Sequence, residues 1–65
     1  MQIDLNGQRR TTTARTLAAL IAEQGFDAAS VATALNGAFV PRGARAETPI
    51  SEGAKVEVLA PMQGG

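Results

Sequence analysis

Apolar and polar residues alternate over residues 1–5, with Met1, Ile3 and Leu5 on one side and Gln2 and Asp4 on the other, the period of a half-buried strand. Asn6-Gly7 follows at once and suits a two-residue hairpin turn, because both positions tolerate positive φ. Residues 8–13, rich in Thr and Arg, then predict a returning strand with much of its surface in water. From Thr16 the period changes. Leu17, Leu20 and Ile21 fall at the i, i+3, i+4 spacing of one helical face, with Ala18, Ala19 and Ala22 between them. Thr16 is the expected N-cap, and Gly25 suits the left-handed position after the helix, which brings Phe26 back towards Ile21.

Residues 31–35 predict a third strand, and a second Asn-Gly pair at Asn36-Gly37 turns it back through residues 38–40. Pro41 marks a strand end, and residues 42–49 have so little periodicity that they are expected to form a loop or irregular crossing. Ile50 is a candidate core plug, residues 51–53 a turn, and residues 55–59 the last strand, with Val56 and Val58 facing the same way. Helix and strand signals are segregated, so the fold class is α+β: one main helix packed on a mixed sheet of four or five strands. Placing the first and last strands side by side at its centre gives the β-grasp (ubiquitin-like) arrangement, assigned by analogy. The domain spans residues 1–59, and residues 60–65, without period or apolar bulk, are expected to be a flexible tail ending in Gly-Gly.

Length limits the chain to one small core, and with no Cys and no His neither a disulfide nor a structural zinc supplements it. No run approaches the ~20 apolar residues of a membrane span and no targeting segment is evident, so a cytoplasmic location and no membrane partner are expected. Six basic residues balance six acidic ones, which removes any broad field for a polyanion. Arg9, Arg10 and Arg15 form a local basic stretch, read as a solvated face. The only aromatic residues are Phe26 and Phe39, too few for a stacking platform, so nucleic acid is not an expected partner.

Side-chain chemistry is equally sparse. Without Cys, His or Tyr the usual thiolate and imidazole routes are closed, and Lys55 is read as a solvated strand residue. Glu57 is expected to neighbour Asp4 if the first and last strands adjoin, as an exposed pair more than a catalytic dyad. No acid cluster at loop spacing predicts a metal site. What remains is the carboxylate of Gly65, which is ionised at neutral pH and can attack a nucleotide phosphate without a base. The resulting acyl-adenylate can accept sulfur, which would leave a thiocarboxylate on Gly65. Gly64 and Gly65 suit a narrow channel because no Cβ crowds the backbone. Fully stretched, residues 60–65 reach up to roughly 20 Å from the body.

The chain resembles the thiamine-biosynthesis sulfur carrier family, ThiS, over essentially its whole length. The residues that carry the likeness are the Met-Gln-Ile-Asp-Leu-Asn-Gly opening, Ala34-Leu35-Asn36-Gly37, Val40-Pro41-Arg42, Glu52-Gly53 before Val56-Glu57-Val58, and Gly64-Gly65. Family members commonly have Gly-Asp where this chain has Gly53-Ala54, and the Trp frequent in their crossing loop is missing here; neither departure touches the tail. The resemblance implies a carrier and not an enzyme, with no bound cofactor. A ThiF-like adenylyltransferase would use ATP and magnesium to activate Gly65, a sulfur donor protein would supply sulfur, and a ThiG-like thiazole synthase would receive it for the thiazole of thiamine. Docking by the same resemblance uses the sheet face and the residues before the tail, with Leu59, Pro61 and Met62 as candidates. Two alternatives remain open: the small subunit of molybdopterin synthase, with the same terminal chemistry, and a ubiquitin-like modifier or interaction module.

Overall fold

Both Asn-Gly pairs reverse the chain with positive φ at each residue, 52° and 82° at Asn6 and Gly7, 51° and 86° at Asn36 and Gly37. Positive φ at both central positions is the signature of a type I′ turn, whose twist matches that of the strands it joins. The computed structural model describes residues 1–60, and Gly64, Gly65, Pro61, Met62 and the proposed tail beyond Ala60 lie outside them. The first turn joins β1 (Gln2–Leu5) to β2 (Gln8–Thr11), and the second joins β3 (Ala32–Leu35) to β4 (Ala38–Val40).

Between the hairpins lies α1 (Leu17–Glu23), capped as its sequence predicts: Thr16 accepts a hydrogen bond from the Ala19 amide at 3.1 Å. At its other end Gly25 takes φ 78°, its N–H donates to the Ala22 carbonyl, and the Phe26 N–H donates to the Ile21 carbonyl. That pair of bonds is the Schellman stop, and Phe26 packs against the core beneath it.

The chain then crosses to β5 (Lys55–Leu59), the middle strand of a five-stranded sheet in the order β2-β1-β5-β3-β4. β5 runs parallel to β1 and antiparallel to β3, the mixed β-grasp topology expected for adjacent first and last strands. Leu17, Leu20 and Ile21 of α1 pack on Ile3, Leu5, Val56 and Val58 of the two central strands, with Ile50 plugging one end. Each such aliphatic burial contributes about 1.5–3 kcal/mol.

Four expectations need correction. Residues 42–49 are not an irregular loop, because Arg42–Glu47 forms a 3-10 helix entered through Pro41 at φ −65°. Its three-residue turn carries no apolar repeat that a 3.6-residue period would reveal. The second strand ends at Thr11, and the backbone turns so that the buried Thr12 hydroxyl meets Glu23 at the end of α1. Met1 is partly exposed and does not join Ile3 and Leu5 in the core. Asp4 lies opposite Lys55, not Glu57, so the register sets a carboxylate against an ammonium. Among the described residues, no helix is long and apolar enough to cross a membrane.

Candidate functional site

Strand alternation splits β5 between two environments. Val56 and Val58 point at α1, while Lys55, Glu57 and Leu59 occupy the opposite, helix-free face. Cross-strand register assigns that open face residue by residue. Leu59 lies beside Ala32, and Glu57 beside Ala34, which in turn lies beside Phe39. Phe39 is 71% exposed and Leu59 is 65% exposed, and a shallow depression lined by Ala32, Ala34, Phe39, Glu57 and Leu59 joins them. Two alanines between two large side chains make a low apolar floor with raised walls.

The other half of the face is polar. Arg9, Asp4 and Lys55 lie side by side across β2, β1 and β5, with one carboxylate between two cations. The apolar half is the part next to the end of β5, from which the chain leaves the body at Ala60.

The chain has no Cys, His or Tyr to supply a thiolate, imidazole or phenol. Among the described residues there is no cluster of acids that would hold a metal ion. The two carboxyls held below the ordinary carboxylate range are Glu23, chiefly by a hydrogen bond from the Thr12 hydroxyl, and Asp27, chiefly by one from Ser30. Both serve local structure: Glu23 at the end of α1, Asp27 in the turn after it, where it also accepts from the Ala29 amide. Lys55 is exposed at the start of β5, as expected.

Of the residues singled out from sequence, Leu59 is therefore placed at an exposed position on the open face at the root of the last segment, and not at a core edge. Gly65, Gly64, Pro61 and Met62 fall outside the described residues. Sequence reasoning missed Phe39 as a surface residue. The signal was present, because Val40 ends β4 on the buried side and its neighbour must then face out.

The family model of the ThiS family matches residues 3–65. The chain belongs to the ThiS family. A crystal structure of the thiamine biosynthesis protein (ThiS) from Geobacter metallireducens shares 32% identity and superposes with a TM-score of 0.81, each chain covered in full. A solution structure of a thiamine biosynthesis protein from the same organism shares 29% identity with a TM-score of 0.83, covering all of this chain and 88% of that one. A thiazole synthase from Paramagnetospirillum magneticum is 35% identical over 66 residues, which take in all of this chain and 20% of that protein. The chain thus spans about a fifth of the length of that curated relative. ThiS membership bears out the resemblance read from the opening strand, the two Asn-Gly turns and the Gly-Gly pair, and the β-grasp fold with it.

Proposed function

We propose that this chain is a sulfur carrier of thiamine biosynthesis, loaded at the Gly65 carboxylate and unloaded by a thiazole synthase of the ThiG kind. The single observation that carries the reading is the ThiS match across residues 3–65, which includes the Gly-Gly pair. Support comes from a thiazole synthase that contains a segment similar to the whole chain.

In this reading a ThiF-like adenylyltransferase brings ATP and magnesium. An oxygen of the Gly65 carboxylate attacks the α-phosphorus, pyrophosphate leaves, and an acyl-adenylate forms. Sulfide released by the donor protein then adds as HS⁻ to the carbonyl carbon, its C–S bond replaces the C–O bond to AMP, AMP and a proton leave, and the thiocarboxylate remains. Ordering the last residues in an active site costs about 1–2 kcal/mol of backbone entropy each, so docking of the folded body has to offset that cost. The exposed Phe39 and Leu59 with their alanine floor are the surface proposed for that docking, and Pro61 and Met62 are further candidates for it by family resemblance. The carrier itself binds no cofactor and catalyses no step. In this reading the carrier works in the cytoplasm beside its ATP-using partner.

The test is incubation of the full chain with ATP, magnesium, a ThiF-like enzyme and sulfide, followed by intact-mass measurement. Exchange of one oxygen for one sulfur at Gly65 is expected. Deleting Gly65 withdraws the carboxylate by about 3.3–3.6 Å and should abolish the exchange while leaving the fold intact. Gly64→Ala should fold normally but load slowly, because its methyl obstructs the channel. An unloaded wild-type chain, or a truncated chain loaded as fast as the full one, would sink the proposal.

A further inference from the structure

Asn6 and Asn36 each open a reversal in which the residue's own carbonyl turns away from the sheet. Each substitutes its side-chain oxygen for that carbonyl on β5. The Asn36 amide donates to the Lys55 carbonyl at 2.7 Å, and the Lys55 amide donates back to Asn36 Oδ1 at 2.9 Å. The Asn6 amide likewise donates to the Val56 carbonyl at 2.9 Å. A parallel ladder would next have the Asn6 carbonyl accept from the Val58 amide. Asn6 Oδ1 accepts it instead, at 2.8 Å, and Asn6 Nδ2 donates to the Val58 carbonyl at 3.1 Å.

The register shows why Val58 depends on this side chain. In the antiparallel pairing with β3, the Asn36 N–H donates to the Lys55 carbonyl, so the residues of β5 that bond towards β3 are Lys55, Glu57 and Leu59. The N–H and C=O of Val58 point the other way, towards β1, which ends at Leu5. Among the described residues, Asn6 alone meets both groups, one residue before Leu59 and two before Ala60.

We propose that Asn6 is a positioning residue for sulfur loading: its amide grips Val58 at two points and sets the direction in which the backbone leaves β5 towards Gly65. The inference rests on the carrier reading. It separates two roles on one strand, with Asn36 securing the start of β5 and Asn6 securing its exit. Docking uses the open face, so losing the grip at Val58 should leave the encounter intact and spoil the placement of the carboxylate, an effect on kcat more than on KM.

The matched variants are Asn6→Gly and Asn36→Gly in the full chain. Glycine keeps positive φ in both turns and removes only the side-chain bonds to β5. Asn6→Gly is expected to speed hydrogen exchange of the Val58 amide by about tenfold or more. It should also lower kcat for thiocarboxylation by about tenfold while KM moves less than about twofold. Asn36→Gly is expected to speed exchange at Lys55 and leave kcat within about twofold. If Asn6→Gly does not fold, Asn6→Asp keeps the acceptor for the Val58 N–H, loses the donor to its carbonyl, and is expected to lower kcat about threefold with KM unchanged. Loading of the Asn6 variant at the wild-type rate, or an equal loss of kcat in the Asn36 variant, overturns the assignment. A wild-type chain that takes up no sulfur overturns the carrier reading instead. In that case the grip is judged by Val58 exchange alone, and it falls if Asn6→Gly exchanges no faster than wild type.

Discussion

Arg45, only 4% exposed, donates through Nε to Thr33 Oγ1 at 3.0 Å, and Thr33 passes the chain on by donating to the Val40 carbonyl at 2.9 Å. Its two terminal nitrogens donate to the carbonyls of Ala28 at 2.9 Å and Val31 at 2.6 Å. One side chain therefore ties the 3-10 helix to β3, β4 and the segment after α1, using uncharged acceptors throughout. Removing it leaves the buried Thr33 hydroxyl without its donor and frees two part-buried carbonyls. Arg45→Met is expected to cost about 2–4 kcal/mol in urea unfolding, as a lower midpoint at unchanged slope. Arg45→Lys should recover only part of that loss, since an ammonium lacks the planar fork that reaches three diverging acceptors. A wild-type midpoint in Arg45→Met would mean that the tie contributes nothing to stability.

Phe39 should matter to partners and little to folding. Its ring lies largely in water on an edge strand, so Phe39→Thr, which keeps strand propensity, is expected to change stability by less than about 1 kcal/mol. The same substitution should lower kcat/KM for thiocarboxylation by about tenfold or more, through KM, because exposed aromatic anchors supply much of an interface's energy. Steady-state kinetics with a ThiF-like enzyme would decide it, and an unchanged KM would remove Phe39 from the docking surface.

What the sequence revealed of this fold is what short-range physics encodes. The alternation of Ile3 with Leu5 and of Val56 with Val58, the spacing of Leu17, Leu20 and Ile21, and the two Asn-Gly turns each require only neighbours within one or two turns of chain. Arg45 was illegible because its acceptors come from Ala28, Val31 and Thr33, twelve or more residues away. Asp4 was set against Glu57 because alternation fixes which face a residue takes but not which residue it meets, and a two-residue shift in register preserves the one while changing the other. The docking surface was half legible. Leu59 was visible as the last strand residue, whereas Phe39 becomes its neighbour only through the β3 register, with Ala32 and Ala34 between them.

Glu23 makes the fold sensitive to acid. The Thr12 hydroxyl is the main cause of its lowered pKa, and Thr13 and Gln24 add smaller bonds of the same sign. A carboxyl with a folded pKa below its unfolded one stabilises fully above the unfolded value and loses that contribution as pH falls through the folded value. Stability should therefore fall on acidification through and below the ordinary carboxylate range. Asp27, lowered first by Ser30, adds in the same direction. Urea midpoints measured from pH 7 down to about pH 3 should show a shallower decline in Glu23→Gln than in wild type, with the Asp27 part remaining. An identical slope in the two proteins would remove Glu23 from the acid response.

Gly25 isolates the conformational part of a helix stop. Its φ is 78°, and a Cβ built there meets no atom within 4 Å, so a methyl group would be opposed by the backbone alone. Gly25→Ala is accordingly expected to cost about 1–2 kcal/mol, and Gly25→Asn less, because asparagine visits the left-handed region more readily. For a domain of this size that loss corresponds to a fall in Tm of about 4–8 °C per kcal/mol, readable by thermal circular dichroism. The Schellman bonds from Gly25 and Phe26 to Ala22 and Ile21 must persist in the variant for the comparison to hold, which amide exchange at Phe26 reports. If Gly25→Ala melts with wild type while those amides stay protected, the packing of Phe26 on the core ends the helix, and the glycine is incidental to it.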